Sequence, residues 1–152
     1  MTDWNRPQPA PKALWTMIQA NFPVARNVGI FVQRNIAGTS TPSLHSEGRA
    51  LDIGLNAFDP YEVVIGDRLF QIFWDLGQTM QLEEVIWRRQ IWSSRQPLVH
   101  PYAGISPHTD HVHVGFTQSG SQQTAMPAMF ALRVAQLRTG LDDLRSVGAN
   151  VA

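Results

Sequence analysis

The sequence predicts an α+β domain, a small and mainly antiparallel sheet with flanking helices. Short segments rich in β-branched and aromatic residues, VGIFVQ, ALDIGL, EVIWR, QIWS and HVHVGF, are separated by turn-forming residues. Apolar residues recur at helical spacing in three other stretches. A chain of 152 residues, 43% of them apolar, suits a single domain around one core.

RPQPAP reads as an extended lead-in, and Leu14, Trp15 and Ile18 then predict a first helix from about Lys12 to Phe22. A strand is expected over Val28–Gln33, followed by a loop through NIAGTSTPS. His45 leaves that loop just before the short strand ALDIGL. Asp59, Pro60 and Glu62 form an N-cap, a proline at the first helical position and a partial capping box. The second helix they open carries Val63, Val64, Leu69, Phe70, Phe73 and Trp74, and Gly77 stops it. EVIWR and QIWS read as neighbouring strands, RQPLVHPYAGISPHTD as a long irregular excursion of the kind that shapes clefts, and HVHVGF as the segment that closes the sheet. Met126, Phe130, Val134, Leu137, Leu141 and Leu144 make one stripe of a last helix, about 126–147. Packing of that stripe onto its own domain is expected over a coiled-coil partner for so short a run, which predicts a monomer.

Twelve basic residues balance twelve acidic ones, so no long-range field gathers a nucleic acid. No apolar run reaches the roughly 20 residues that span a bilayer. The opening MTDWNRPQPAPKALW lacks the order of a secretory signal, so action on a cell wall would require release by lysis or another export route. With no cysteine, any metal must sit on His, Asp or Glu.

Those residues cluster. The two-residue period of a strand sends Leu51 and Ile53 to one face and Asp52 to the other. In HVHVGF it gathers Val112, Val114 and Phe116 on the core face and projects His111 and His113 together from the opposite one. His108 lies three residues before His111, and His45 adds a nitrogen from another part of the chain. A lone histidine is usually a satisfied structural group, but the joint pattern of His45, Asp52 and His113 fits the three-ligand nitrogen and oxygen set of catalytic zinc. Gly48 and Ala50 let the chain turn from His45 into the strand without crowding an ion. Trp87, Trp92 and Tyr102 either line a groove beside this set or pack in the core, the commoner fate of strand aromatics.

SLHSEGRALD, Ser43 to Asp52, resembles the S-x-H-x-x-G-x-A-x-D motif of the zinc peptidase superfamily that holds D-alanyl-D-alanine peptidases, murein endopeptidases and the hedgehog signalling domain. HTDHVH, His108 to His113, is similar to the second motif of its penicillin-insensitive murein endopeptidases. The resemblance spans about Val28 to Phe116 and implies a hedgehog/DD-peptidase-like zinc domain. It also implies Zn²⁺ on His45, Asp52 and His113, and a substrate contact from Arg34. Many relatives carry a glutamate as general base three residues before the last ligand; here that position is Asp110, with His111 next to it. Strand alternation favours His111 as the base, with Asp110 as the alternative or as its orienting partner. His108 or Arg34 is the expected oxyanion stabiliser.

The function expected is zinc-dependent hydrolysis of an amide bond in peptidoglycan peptide stems, by a carboxypeptidase or an endopeptidase. A non-catalytic zinc-dependent binding module of the same fold is the alternative. A metal-dependent phosphoesterase ranks lower, because such sites usually draw on more carboxylates and two ions.

Overall fold

The computed structural model describes residues 1–151. Among the described residues, one six-stranded antiparallel sheet and three α-helices make an α+β protein. Helix α1 (Pro9–Asn21) begins three residues before the expected Lys12, because Pro9 and Pro11 occupy the first turn, where no N–H needs a partner. It buries Ala10, Leu14 and Ile18.

Strand β1 (Arg26–Gly29) ends where the expected strand Val28–Gln33 should have been under way. Past Gly29 the chain is diverted toward the site: Val32 N donates to His45 O at 3.2 Å, and Ile30 O accepts from the His45 ring. A 3-10 turn (Leu44–Glu47) leads into β2 (Ala50–Gly54).

Helix α2 (Glu62–Leu76) is capped by Asp59, whose Oδ1 accepts from the amides of Tyr61 and Glu62, both at 2.9 Å. The expected capping box is absent, because Glu62 instead accepts from Asn56 N at 2.7 Å and from Arg26 at 3.0 Å. Trp87 and Trp92 are buried against Gly66 of this helix and Gly77 just past its end, so neither lines a groove; a Cβ at either glycine would meet the facing indole.

Strands β3 (Leu82–Trp87) and β4 (Gln90–Ser93) form a hairpin whose two turn residues, Arg88 and Arg89, both have positive φ, as a tight twisted hairpin requires. Strand β5 (Gln96–Pro101) occupies the first part of the segment expected to be irregular. Its two prolines are tolerated because β5 is the edge of the sheet. Strand β6 (His111–Phe116) lies between β2 and β3, giving the order β1-β2-β6-β3-β4-β5.

Helix α3 (Ala128–Val151) follows a short 3-10 turn (Gly120–Gln122) and turns the apolar stripe onto its own domain as far as Leu141. Phe130, Val134 and Leu141 are buried, and Phe130 stacks on Phe73 with ring centroids 5.4 Å apart, whereas Leu144 is exposed. Leu51, Ile53, Val85, Val112, Val114 and Phe116 join the helical side chains in one core. Helices α1 and α2 pack on one face of the sheet and α3 packs on them, and the other face carries polar groups from β2, β3 and β6. No helix is long and apolar enough to cross a membrane among the described residues.

Candidate metal centre

Asp52 on β2 and His113 on β6 are direct cross-strand partners, so their side chains leave the sheet side by side. His45 reaches them from the 3-10 turn. Ser43 caps that turn, its hydroxyl accepting from His45 N at 3.3 Å. Gly48 ends the turn in the left-handed region at φ 64°, and a Cβ there would lie 2.0 Å from Arg6 O. The spacer between His45 and Asp52 is therefore small for two reasons, backbone handedness and a backbone neighbour.

Three atoms converge: His45 Nε2 to Asp52 Oδ1 is 3.0 Å, His113 Nδ1 to Asp52 Oδ1 is 2.9 Å, and His45 Nε2 to His113 Nδ1 is 3.3 Å. All three residues are buried, and together they form a group that could hold a metal ion. The outer nitrogens set the tautomers. His45 Nδ1–H donates to Ile30 O at 3.0 Å, which leaves Nε2 with its lone pair facing inward. His113 Nε2–H donates to Glu84 Oε1 at 3.2 Å, which aims Nδ1 at the same point.

Lone pairs from two imidazoles and one carboxylate in a buried space require a cation between them. A proton can serve: burial alone would keep His113 neutral, but the hydrogen bonds and charges of Asp52 and Glu84 push it up to about 9. Burial likewise disfavours charge on Asp52, yet the hydrogen bonds and charges of His113 and His45 hold its carboxyl far below the ordinary range. A divalent ion bonded to the same three atoms fits the donor set, one oxygen and two nitrogens with their second atoms already engaged.

The other expected residues surround this group. Arg34 Nη2 donates to the outer oxygen, Asp52 Oδ2, at 3.1 Å, while half of its side chain stays exposed. His111 shares the face of His113, with Nε2 3.7 Å from Asp52 Oδ1. Asp110 lies outside the cluster, its side chain 86% exposed, and accepts from His111 Nδ1 at 2.7 Å. His108, in the left-handed region at φ 50°, packs edge-on to Tyr102 and donates from Nδ1 to Ser106 O at 2.9 Å. Burial, followed by the nearby His113 and His111, pushes its pKa down to about 4, so the ring is neutral at pH 7.

Arg34, His45, His108, His111 and His113 line a cleft of about 360 Å³ between the segment Arg34–His45 and the segment Tyr102–His108. A groove of about 400 Å³ between α2 and α3 is lined by Arg68, Arg133, Gln71, Gln136 and apolar residues, with no carboxylate or imidazole. The chemistry belongs to the cleft.

Sequence reasoning overlooked Glu84. Its strand was expected, but two glutamates stand together at its start, and alternation from Leu82 would aim both Leu82 and Glu84 at the core. A bulge between Leu82 and Glu84 in the pairing with β6 resolves the conflict, turning Leu82 to the helices and Glu84 to the cleft.

Fold and cluster define an α+β protein with a buried His–Asp–His group that could hold a metal ion. The chain matches the family model of the VldE C-terminal domain over residues 4–113, well over half its length, and belongs to that family. The matched span includes all three converging residues and ends on His113. No curated protein and no solved structure matches the chain.

Proposed function

We propose that the protein is a zinc peptidase of hedgehog/DD-peptidase type that hydrolyses an amide bond in the peptide stems of peptidoglycan. The observation that carries this reading is the convergence of His45 Nε2, Asp52 Oδ1 and His113 Nδ1, with His111 Nε2 beside them in an open cleft. Zinc held there would supply Lewis acidity toward a scissile carbonyl and acidify a water molecule.

The residues divide the remaining work. His111, its Nδ1–H held by Asp110, presents a basic Nε2 that takes the proton of the attacking water and returns it to the leaving amine. Arg34 extends its guanidinium beside the centre, where charge develops on the carbonyl oxygen. His108 suits that role less, since its Nδ1–H is committed to Ser106 O and its neutral Nε2 can only accept. Its part is to wall the cleft with Tyr102.

Mass spectrometry of purified peptidoglycan incubated with the zinc-loaded protein tests the reading, beside a chelated sample and the His113→Ala variant. Metal-dependent release of cut stems, lost in the variant, is expected, and it would name the bond. A zinc-loaded protein that releases no product from several wall chemistries overturns the peptidase and favours a binding module on the same scaffold.

A further inference from the structure

We propose that Glu84 is a positioning residue of the metal centre, its carboxylate holding the His113 ring so that Nδ1, and not Nε2, faces His45 and Asp52. The inference rests on the metal-site reading but not on the peptidase reading.

The two histidines meet the centre through different nitrogens, and each needs its other nitrogen held. For His45 the holder is a backbone carbonyl, Ile30 O, present whatever the side chains are. For His113 it is Glu84 Oε1 at 3.2 Å, a charged acceptor that favours one tautomer and one ring orientation together.

Three features of the fold serve this contact. The β3 bulge turns Glu84 to the cleft, as described above. Gly115 pairs with Glu84 across the strands, and a Cβ there would lie 3.4 Å from Glu84 Cγ and 2.3 Å from Leu44 Cδ1. Glycine at that position leaves room for the carboxylate and for Leu44 on the same side. Glu83, one residue away, is engaged elsewhere, accepting from Arg49 Nη1 at 2.9 Å. The two adjacent glutamates therefore have separate duties, which supplies an internal control.

The test is a zinc titration in competition with a chromophoric chelator on wild type, Glu84→Ala, Glu84→Gln and Glu83→Gln. Thermal melting of each metal-free protein and nitrogen-detected NMR of the zinc-loaded His113 ring accompany it. Removing such a holder weakens metal affinity about 10- to 100-fold. That loss is expected in Glu84→Ala, together with loss of the protected Nε2–H signal. Glu84→Gln, whose amide oxygen still accepts but carries no charge, should fall between. Glu83→Gln should shift melting and leave zinc affinity unchanged.

Zinc affinity within twofold of wild type in the Glu84 variants, with the Nε2–H signal retained, overturns the proposal. If Glu84→Ala does not fold, Glu84→Gln decides by the same two readouts. A wild type that takes up no zinc overturns the metal reading itself, a result visible before any variant is compared.

Discussion

Under the proposed zinc reading, the ion would enter this centre only by displacing the proton that Asp52 and Glu84 favour on His113. With His113 pushed up to about 9, the gap at pH 7 is about two units, or roughly 3 kcal/mol. Apparent zinc affinity at pH 7 should therefore lie about a hundredfold below its high-pH limit and rise about tenfold per unit toward pH 9. Asp52 is ionised throughout this range and contributes no proton. Calorimetric zinc titrations at pH 7, in buffers of different ionisation enthalpy, should show about one proton released per ion. The same linkage acts on stability. The folded value lies above the ordinary 6.5, so the stabilisation is complete below about pH 6.5 and is lost as pH rises through about 9. The metal-free protein should lose up to about 3 kcal/mol across that window, and the zinc-loaded protein should not. Zinc binding at pH 7 without proton release, or with an affinity flat from pH 7 to 8.5, would refute the reasoning.

Under the peptidase reading, His111→Ala should lower kcat on a cleaved stem peptide by about 10²- to 10⁴-fold while zinc affinity in the chelator assay stays within a few-fold, because His111 stands beside the three converging atoms without being one of them. Gly48→Ala places a side chain at φ 64° and against Arg6 O, so it should lower stability by about 1–3 kcal/mol in thermal unfolding and weaken zinc binding through displacement of His45.

The parts of the site that were legible in the sequence are those governed by short periods. Two-residue alternation placed Asp52 and His113 on one face and Leu51, Ile53, Val112 and Val114 on the other, and the structure pairs them accordingly. The stripe from Phe130 to Leu141 marked a helix for the same reason, with a period of 3.6. What escaped depends on partners distant in sequence. β1 stops at Gly29 because the following residues are claimed by His45, which no local pattern reveals. β5 carries two prolines, which argue against a strand unless the neighbour missing on one side is known. Glu62 had capping-box spacing, but Asn56 and Arg26 compete for its carboxylate. Glu84 is aimed by a bulge, and a bulge depends on the register of β3 against β6.

The pairing of β2 with β6 acts as a check on assembly. A slip of β6 by one residue would turn His113 into the apolar layer and throw Val112, Val114 and Phe116 into the cleft, so oil-like burial proofreads the alignment of His113 with Asp52 before any ion arrives. His45 has no such guarantor; it hangs from a single turn held by a hydroxyl, a carbonyl and a left-handed glycine. On warming, the centre should come apart from that side first, with the sheet-borne pair still aligned when the third arm has let go.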